Sequence, residues 1–316
     1  MFDDLCPDAV HHRPRPGGGP ALRPLPAAAR GVLDPARCAA AREEIAAWPE
    51  YAPTPLVDLP GLAAAAGLSR IAVKDESGRF GLGSFKALGG AYAVLRQLKA
   101  YIGAQTGREP STAALLAGEH ADIARTLTVC SATDGNHGRS VAWGARLFGL
   151  NCVIYIHENV SRAREAAIAH FGAEVRRVPG TYDDSVHRAA ADAAARNWIV
   201  VSDTSYGDYR DIPRDVMAGY TVMTSEAIAQ WHEQADAPPP SHVFVQAGVG
   251  GLAAAVCAAL DQAYGEVRPR LVVVEPETAA CLFASAASGR AAAIDGDLDT
   301  MMAGLAAGET SLVAWD

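Results

Sequence analysis

Short apolar runs alternate with longer segments in which apolar residues recur at helical spacing, from about residue 67 onward. The apolar runs predict strands at residues 71–74, 127–130, 152–156, 174–178, 198–202, 242–246 and 271–275. The spaced segments predict helices at residues 86–100, 138–148, 162–171, 182–196, 217–233 and 250–263. This alternation, with nearly continuous apolar strands, is typical of a parallel sheet that helices cover on both faces.

Two segments lack such a pattern. Residues 11–26 are rich in Pro, Gly and Arg and predict an extended arm, whereas residues 235–241 contain three consecutive prolines and predict a linker. No internal repeat of fixed period is present. We therefore place the packed part of the molecule after about residue 50.

Composition and charge narrow the function classes. The 316 residues are 50% hydrophobic, enough for one large domain or two. The net charge of −9 does not provide the basic field that binds nucleic acid or an anionic membrane. The six cysteines form no C-x-x-C pair and indicate reduced thiols, with no metal site. Without a span of ~20 apolar residues or a signal-peptide pattern, we expect a cytoplasmic protein.

Lys86 ends a glycine-punctuated segment and directly precedes a predicted helix. Its small neighbours leave room for a planar group to approach the amine. A lysine on such a rigid element can form a Schiff base with an aldehyde such as pyridoxal phosphate, provided that its pKa is lowered. The alternative is a solvated surface lysine.

The segment SATDGNHG, residues 131–138, joins a predicted strand to a helix. Gly135 and Gly138 free the backbone, and the helix start offers N–H groups that favour an anion. Asn136 supplies an amide for a polar ring substituent. Asp134 is either a functional carboxylate or an ordinary turn cap.

A second glycine-rich turn, QAGVGGL at residues 246–252, also opens a helix, and its N–H groups can converge on a phosphate. A dinucleotide site is the alternative, but the acidic residue near the expected spacing, Glu275, is followed by Pro276. Asp203 follows the strand at 198–202, at the edge where open sheets bind ligands, and could equally cap the next turn.

In this order, Ser84-Phe-Lys86, Gly135-Asn-His-Gly138 and Gly248-Val-Gly-Gly251 resemble the fold type II pyridoxal-phosphate enzymes, the tryptophan synthase β-like group. The longer segments around these motifs are similar to the diaminopropionate ammonia-lyase family. These segments are residues 80–92, 132–143 and 246–251, together with Asp203-Thr204, Ile212-Pro213 and Met217-Ala-Gly-Tyr220. The resemblance runs from about Tyr51 to Trp315.

The resemblance implies pyridoxal 5'-phosphate as cofactor and assigns roles to residues at matching positions. Lys86 is the Schiff-base lysine, and Asn136 the partner of the ring oxygen. The phosphate cradle is Gly248, Val249, Gly250 and Gly251. The catalytic carboxylates are Asp134 and Asp203, and the substrate-binding positions are Thr133, Asp134, Gly135 and His137. An additional carboxylate at position 134 suits a substrate with an additional ammonium group.

The implied fold is a two-domain α/β enzyme of fold type II with open, mostly parallel sheets covered by helices. The larger domain combines residues 1–88 with 186–316, and the smaller one spans 89–185. The implied reaction is α,β-elimination of ammonia from 2,3-diaminopropionate, a small amino acid, giving pyruvate and ammonia. A homodimer is expected. A serine/threonine dehydratase or a threonine-synthase-like enzyme is the alternative.

Members of the family normally continue for tens of residues past the point that matches Asp316. That segment supplies closing strands and a small polar residue facing the pyridine nitrogen. The expectation is a C-terminally incomplete larger domain that binds cofactor weakly. A further alternative is a truncated, non-catalytic remnant that binds pyridoxal phosphate.

Overall fold

The computed structural model describes residues 22–133, 135–234 and 238–316. Within them the helices are α1 Ala27–Val32, α2 Pro35–Ala46, α3 Pro60–Ala66, α4 Lys86–Thr106, α5 Thr112–Leu116, α6 Ala121–Ala124, α7 Asn136–Phe148, α8 Arg162–Ala169, α9 Tyr182–Arg196, α10 Asp211–Gln234, α11 Gly251–Tyr264, α12 Cys281–Ser288 and α13 Leu312–Trp315. The strands are β1 Leu56–Asp58, β2 Ala72–Lys74, β3 Thr128–Ala132, β4 Asn151–His157, β5 Glu174–Val178, β6 Ile199–Val200, β7 His242–Gln246 and β8 Arg270–Val274.

A four-stranded parallel sheet has the order β5-β4-β3-β6. On one face Cys130, Val153 and Tyr155 pack with two small residues of α9, Ala189 and Ala193. The other face joins the main hydrophobic core, where α7 packs on β3 and β4. The prediction of a parallel sheet covered on both faces is confirmed for these four strands.

The pair β7–β8 is also parallel, but only one of its faces is covered. Val245 is buried beneath α11, whereas Phe244 is 70% and Val274 44% exposed. For this pair the prediction of two covered faces is wrong. An apolar strand pattern shows which side chains are apolar, but it does not show whether another element packs against them.

Helix α4 lies between α7 and α10, and twelve of its residues are buried. Glycines allow the close approach on both sides. A Cβ at Gly144 of α7 would lie 2.6 Å from the Cα of Ala91, and one at Gly219 of α10 would lie 2.9 Å from the Cα of Gly89. The residue that begins α4, Lys86, is therefore fixed by tight backbone packing.

Most predicted elements agree with the structure to within a few residues, but several short ones were not predicted. Helices α1 and α2 lie in a region without a predicted element, although Asp34 and Pro35 give α2 an ordinary start: the Asp34 carboxylate accepts from the Arg37 amide at 2.9 Å. Strands β1 and β2 form an antiparallel pair.

Three predictions are not tested by the described residues, or are tested only in part. Of the predicted arm, residues 11–21 lie outside the described residues, and residues 22–26 form no regular element. Residues 235–237 of the predicted linker also lie outside. The division into two domains stays a prediction, and its boundaries fall inside α4 and α9.

Within the described ranges, no helix is both long and apolar enough to pass through a membrane. The same part of the chain shows no group of three or more potential ligand side chains placed to bind a metal. Its five cysteines are free thiols.

Candidate active site

Three helices begin at residues singled out by the sequence: α4 at Lys86, α7 at Asn136 and α11 at Gly251. The turn before α4 requires left-handed backbone, with φ of +48° at Phe80 and +69° at both Gly81 and Gly83. The Ser84 hydroxyl then accepts from the Lys86 amide at 3.2 Å. These contacts set the direction in which the lysine leaves the helix.

The amine of Lys86 donates to Asp203 Oδ2 at 2.5 Å, across 117 residues of sequence. The two side chains are only 25% and 18% exposed. Tyr220 of α10 is buried beside this pair with its ring edge-on to Phe85, at a centroid distance of 5.0 Å. Among the residues that the structure describes, its hydroxyl has no hydrogen-bond partner.

Burial alone lowers the pKa of Lys86, but the Asp203 carboxylate opposes it and the net pKa is raised. Burial likewise raises the pKa of Asp203, and the Lys86 charge outweighs it, so this pKa is lowered. The lowered amine pKa required by the sequence argument is therefore wrong for this geometry. Lys86 is an ion-paired ammonium held by Asp203, and it must lose a proton before its amine can react.

His137 packs against the same carboxylate. Its ring is 5% exposed, Nε2 lies 2.9 Å from the Val201 carbonyl, and Nδ1 lies 3.8 Å from Asp203 Oδ2. Since a carbonyl only accepts, Nε2 carries the hydrogen, and Nδ1 has no hydrogen-bond partner within the described ranges. Burial lowers the pKa of His137, with the Asp203 charge acting in the opposite direction.

The turn before α7 is held by Thr133, whose hydroxyl accepts from the amides of Gly135 at 3.2 Å and Gly138 at 3.3 Å. Asp134, inside this turn, lies outside the described residues. The assignment of Thr133, Gly135, Asp134 and His137 to substrate binding therefore stays a prediction.

The glycine loop, residues 248–251, lies against the Asp203 turn. A Cβ at Gly251 would lie 3.8 Å from the Asp203 carbonyl oxygen. Gly250 has φ +100°, and a Cβ there would lie 3.0 Å from Ala314 and 3.1 Å from Leu282, so a side chain would be strained. The loop opens the 14-residue helix α11 with the unpaired amides that favour an anion.

The arrangement fits pyridoxal phosphate. It offers an amine at Lys86, a glycine loop for a phosphate, and two buried polar atoms that have no partner in the described part of the chain, His137 Nδ1 and the Tyr220 hydroxyl. Lys86 would hold the aldehyde, Asn136 the ring oxygen, and the glycine loop (Gly248, Val249, Gly250 and Gly251) the phosphate. These assignments stay predictions.

Sequence reasoning missed three residues of this region: Tyr220, Ser205 and Ser311. Tyr220 stands in the quoted segment 217–220, and its burial follows from the helical period of α10. Ser205 and Ser311 hydrogen-bond each other across 106 residues, a contact that no local pattern signals.

Comparison with known proteins identifies the family of the chain. The model of the family described as "Pyridoxal-phosphate dependent enzyme" matches residues 47–316. Diaminopropionate ammonia-lyase from Salmonella typhimurium is 40% identical over 269 residues, 84% of this chain and 66% of that protein. The chain thus spans just under two thirds of this relative's length.

Solved structures give the same result. The holo form of diaminopropionate ammonia-lyase from Escherichia coli, with selenomethionine, has a TM-score of 0.81 at 36% identity, covering 90% of this chain and 69% of that one. The same enzyme in complex with D-serine has a TM-score of 0.80 at 36% identity, with 90% and 70% covered. The fold type II architecture expected from the motifs is confirmed, and the chain belongs to the pyridoxal-phosphate dependent enzyme family.

Proposed function

We propose that the chain catalyses the pyridoxal-phosphate-dependent α,β-elimination of ammonia from 2,3-diaminopropionate. With one water, each substrate molecule yields one pyruvate and two ammonia molecules. The observation that carries the proposal is the Lys86–Asp203 ion pair beside the glycine loop. Its support is the similarity to enzymes named diaminopropionate ammonia-lyase.

The proposed role of each residue follows from its position in the site. When bound, pyridoxal phosphate withdraws electrons from the substrate's α-carbon and so acidifies its proton. The glycine loop binds the phosphate through its amides, and Asn136 orients the ring. Asp203 stays ionised and holds the Lys86 ammonium in place, and this ammonium must lose a proton before the amine can act as a nucleophile.

Removal of the α-proton needs a base within reach of that carbon. We propose Asp203, Asp134 and the Lys86 amine as the candidates for this base. Asp203 is favoured because it is ionised and therefore able to accept a proton, and because it lies 2.5 Å from the Lys86 amine that would hold the cofactor. Asp134 would also attract the second ammonium group of the substrate.

A labelling experiment tests the cofactor site sharply, because the chain has only three lysines, Lys74, Lys86 and Lys99. The other two are engaged elsewhere: Lys74 pairs with Glu226 at 2.7 Å, and Lys99 with Glu44 at 2.6 Å. After borohydride treatment with pyridoxal phosphate, peptide mass spectrometry should find the label on Lys86. Label on Lys74 or Lys99 alone would contradict the assignment.

Substrate choice is tested by keto-acid release from D- and L-2,3-diaminopropionate, L-serine and L-threonine, with Lys86→Ala as the inactive control. Faster release from serine or threonine would favour the dehydratase alternative. A labelled Lys86 without release from any substrate would favour the cofactor-binding remnant.

The two aspartates are separated by Asp203→Asn and Asp134→Asn, each assayed with both enantiomers. Loss of a general base lowers the rate by on the order of 10²–10⁴-fold. We expect each variant to lose activity mainly toward one enantiomer. Small, equal losses would identify both residues as turn caps. The homodimer and the cytoplasmic location stay predictions.

A further inference from the structure

We infer that Ser311 is a positioning residue that fixes the glycine loop relative to the Asp203 turn, through a buried hydrogen-bonded pair with Ser205. The inference rests on the proposed function, because it assigns these two segments to the same site. Ser311 immediately precedes α13 and is fully buried, and Ser205, two residues after Asp203, is 3% exposed.

The contacts of Ser311 reach both segments at once. Its amide donates to the carbonyl of Val249 in the glycine loop at 2.9 Å. Its hydroxyl accepts from the Ser205 amide at 3.0 Å and hydrogen-bonds the Ser205 hydroxyl at 2.9 Å. A single residue thus connects the phosphate loop to the turn that carries the carboxylate.

Ser205 in turn accepts hydrogen bonds from the two residues that follow Ser311, at the start of α13. Its hydroxyl accepts from the Val313 amide at 2.8 Å, and its carbonyl accepts from the Leu312 amide at 3.4 Å. Because these groups are buried, each amide needs its acceptor, and the pair is satisfied only when both segments are in register. A shift of the glycine loop would therefore break several bonds together.

The packing around the pair reinforces this register. The ideal Cβ direction at Gly250 points at Ala314 of α13, 3.0 Å away, and that at Gly251 points at the Asp203 carbonyl. The loop thus lies between α13 and the Asp203 turn with no room for a side chain on Gly250. Removing the Ser311 hydroxyl leaves the Ser205 amide without an acceptor and loosens this contact.

The test compares two forms of the cofactor, because only pyridoxal phosphate uses the glycine loop, whereas pyridoxal without its phosphate still reacts with Lys86. We expect Ser311→Ala to raise the Kd of pyridoxal phosphate about 10-fold, the cost of one unsatisfied buried group, and that of pyridoxal by less than about 2-fold. With 2,3-diaminopropionate, kcat should fall while KM changes little, since the Asp203 turn acts on bound substrate.

Ser205→Ala should reproduce this selective loss of affinity for pyridoxal phosphate. The double variant should lose no more affinity than the more affected of the two single variants, because both substitutions remove the same connection. The matched control is Ser185→Ala, another fully buried serine, whose hydroxyl donates to the Tyr182 carbonyl within α9 at 2.6 Å. It should match wild type in both affinities.

Equal losses of pyridoxal and pyridoxal phosphate, or no loss of either, would overturn the inference. If Ser311→Ala does not fold, Ser311→Cys and Ser205→Ala carry the same comparison. If wild type binds neither cofactor form, the proposed function fails. Inorganic phosphate, titrated by ³¹P NMR against wild type and Ser205→Ala, then decides the role of the pair: tenfold weaker binding supports it, and unchanged binding refutes it.

Discussion

Glu226→Gln should destabilise the protein strongly, because Glu226 is the central acceptor of a buried charged cluster. The cluster consists of Lys74, Glu76, Arg79 and Glu226, and the Glu226 side chain is only 6% exposed. Its two oxygens contact five donors: Arg79 Nη1 at 2.8 Å, Arg79 Nη2 at 2.7 Å, Lys74 Nζ at 2.7 Å, the Tyr51 hydroxyl at 2.9 Å and the Thr54 amide at 3.3 Å.

Glutamine keeps the size of this side chain but replaces one accepting oxygen with a donating amide. The buried Arg79 then keeps one carboxylate partner, Glu76, whereas Lys74 loses its ion pair with Glu226. Breaking a buried ion pair on one side costs about 3–5 kcal/mol. For a total stability of about 5–15 kcal/mol this is a large fraction, and we expect a fall in Tm on the order of 10 °C.

The assay is thermal unfolding by circular dichroism, with urea unfolding as a second measure. Glu233→Gln is the control, since Glu233 lies on the same helix but is exposed, and it should change stability by less than about 0.5 kcal/mol. The cluster also anchors the segment that leads to Lys86, so Glu226→Gln should weaken the binding of pyridoxal as well as of pyridoxal phosphate. A Tm within about 2 °C of wild type would refute the reasoning.

Three further predictions concern pH, packing and the lysine. Burial raises the pKa of Glu226, but its contacts with Arg79 and Lys74 prevail and the net pKa is lowered. The stabilisation that the ionised Glu226 provides is therefore present above about pH 4.3 and is lost as the pH falls below that value. Between about pH 5 and 3, the Tm of wild type should fall more steeply than that of Glu226→Gln. Gly144→Ala should cost about 1–3 kcal/mol, because its Cβ meets the Ala91 backbone, whereas Gly31→Ala in α1, with open space around it, should leave Tm unchanged or raise it. Asp203→Asn removes the charge that raises the pKa of Lys86, so borohydride capture of pyridoxal phosphate should proceed at lower pH than in wild type; an unchanged pH profile would contradict this.

Periodicity predicted most strands and the longer helices from α4 onward. Strands β5 and β7 and helix α9 have the bounds that their apolar patterns indicate, and α4 extends only a few residues further, to Thr106. The short elements escaped, because helices such as α5 and α6 are too short for a pattern to be readable. The pairing of β1 with β2 depends on tertiary contacts rather than on local propensity.

Local motifs in the sequence indicated individual candidate site residues, but not the contacts between distant ones. The sequence indicated Lys86, Asn136, Asp203 and the glycine loop one by one, from their positions at helix starts and strand ends. It could not pair Lys86 with Asp203, so the expected pKa shift of the amine had the wrong sign. The hydrogen bonds of Ser311 could not be predicted for the same reason, because they join residues that are far apart in the sequence.

The proposed cofactor site is held by two separate anchors, so variants of the two should differ in which form of the cofactor they affect. The first anchor is the buried charged cluster together with the glycine contacts of α4, which act on Lys86. The second is the Ser205–Ser311 pair, which acts on the glycine loop. Disturbing the first anchor moves the amine, so both cofactor forms should bind more weakly. Disturbing the second moves only the phosphate cradle, so the loss should be confined to the phosphorylated form. Variants of the two anchors should therefore add in their effects on pyridoxal phosphate, since they share no contact.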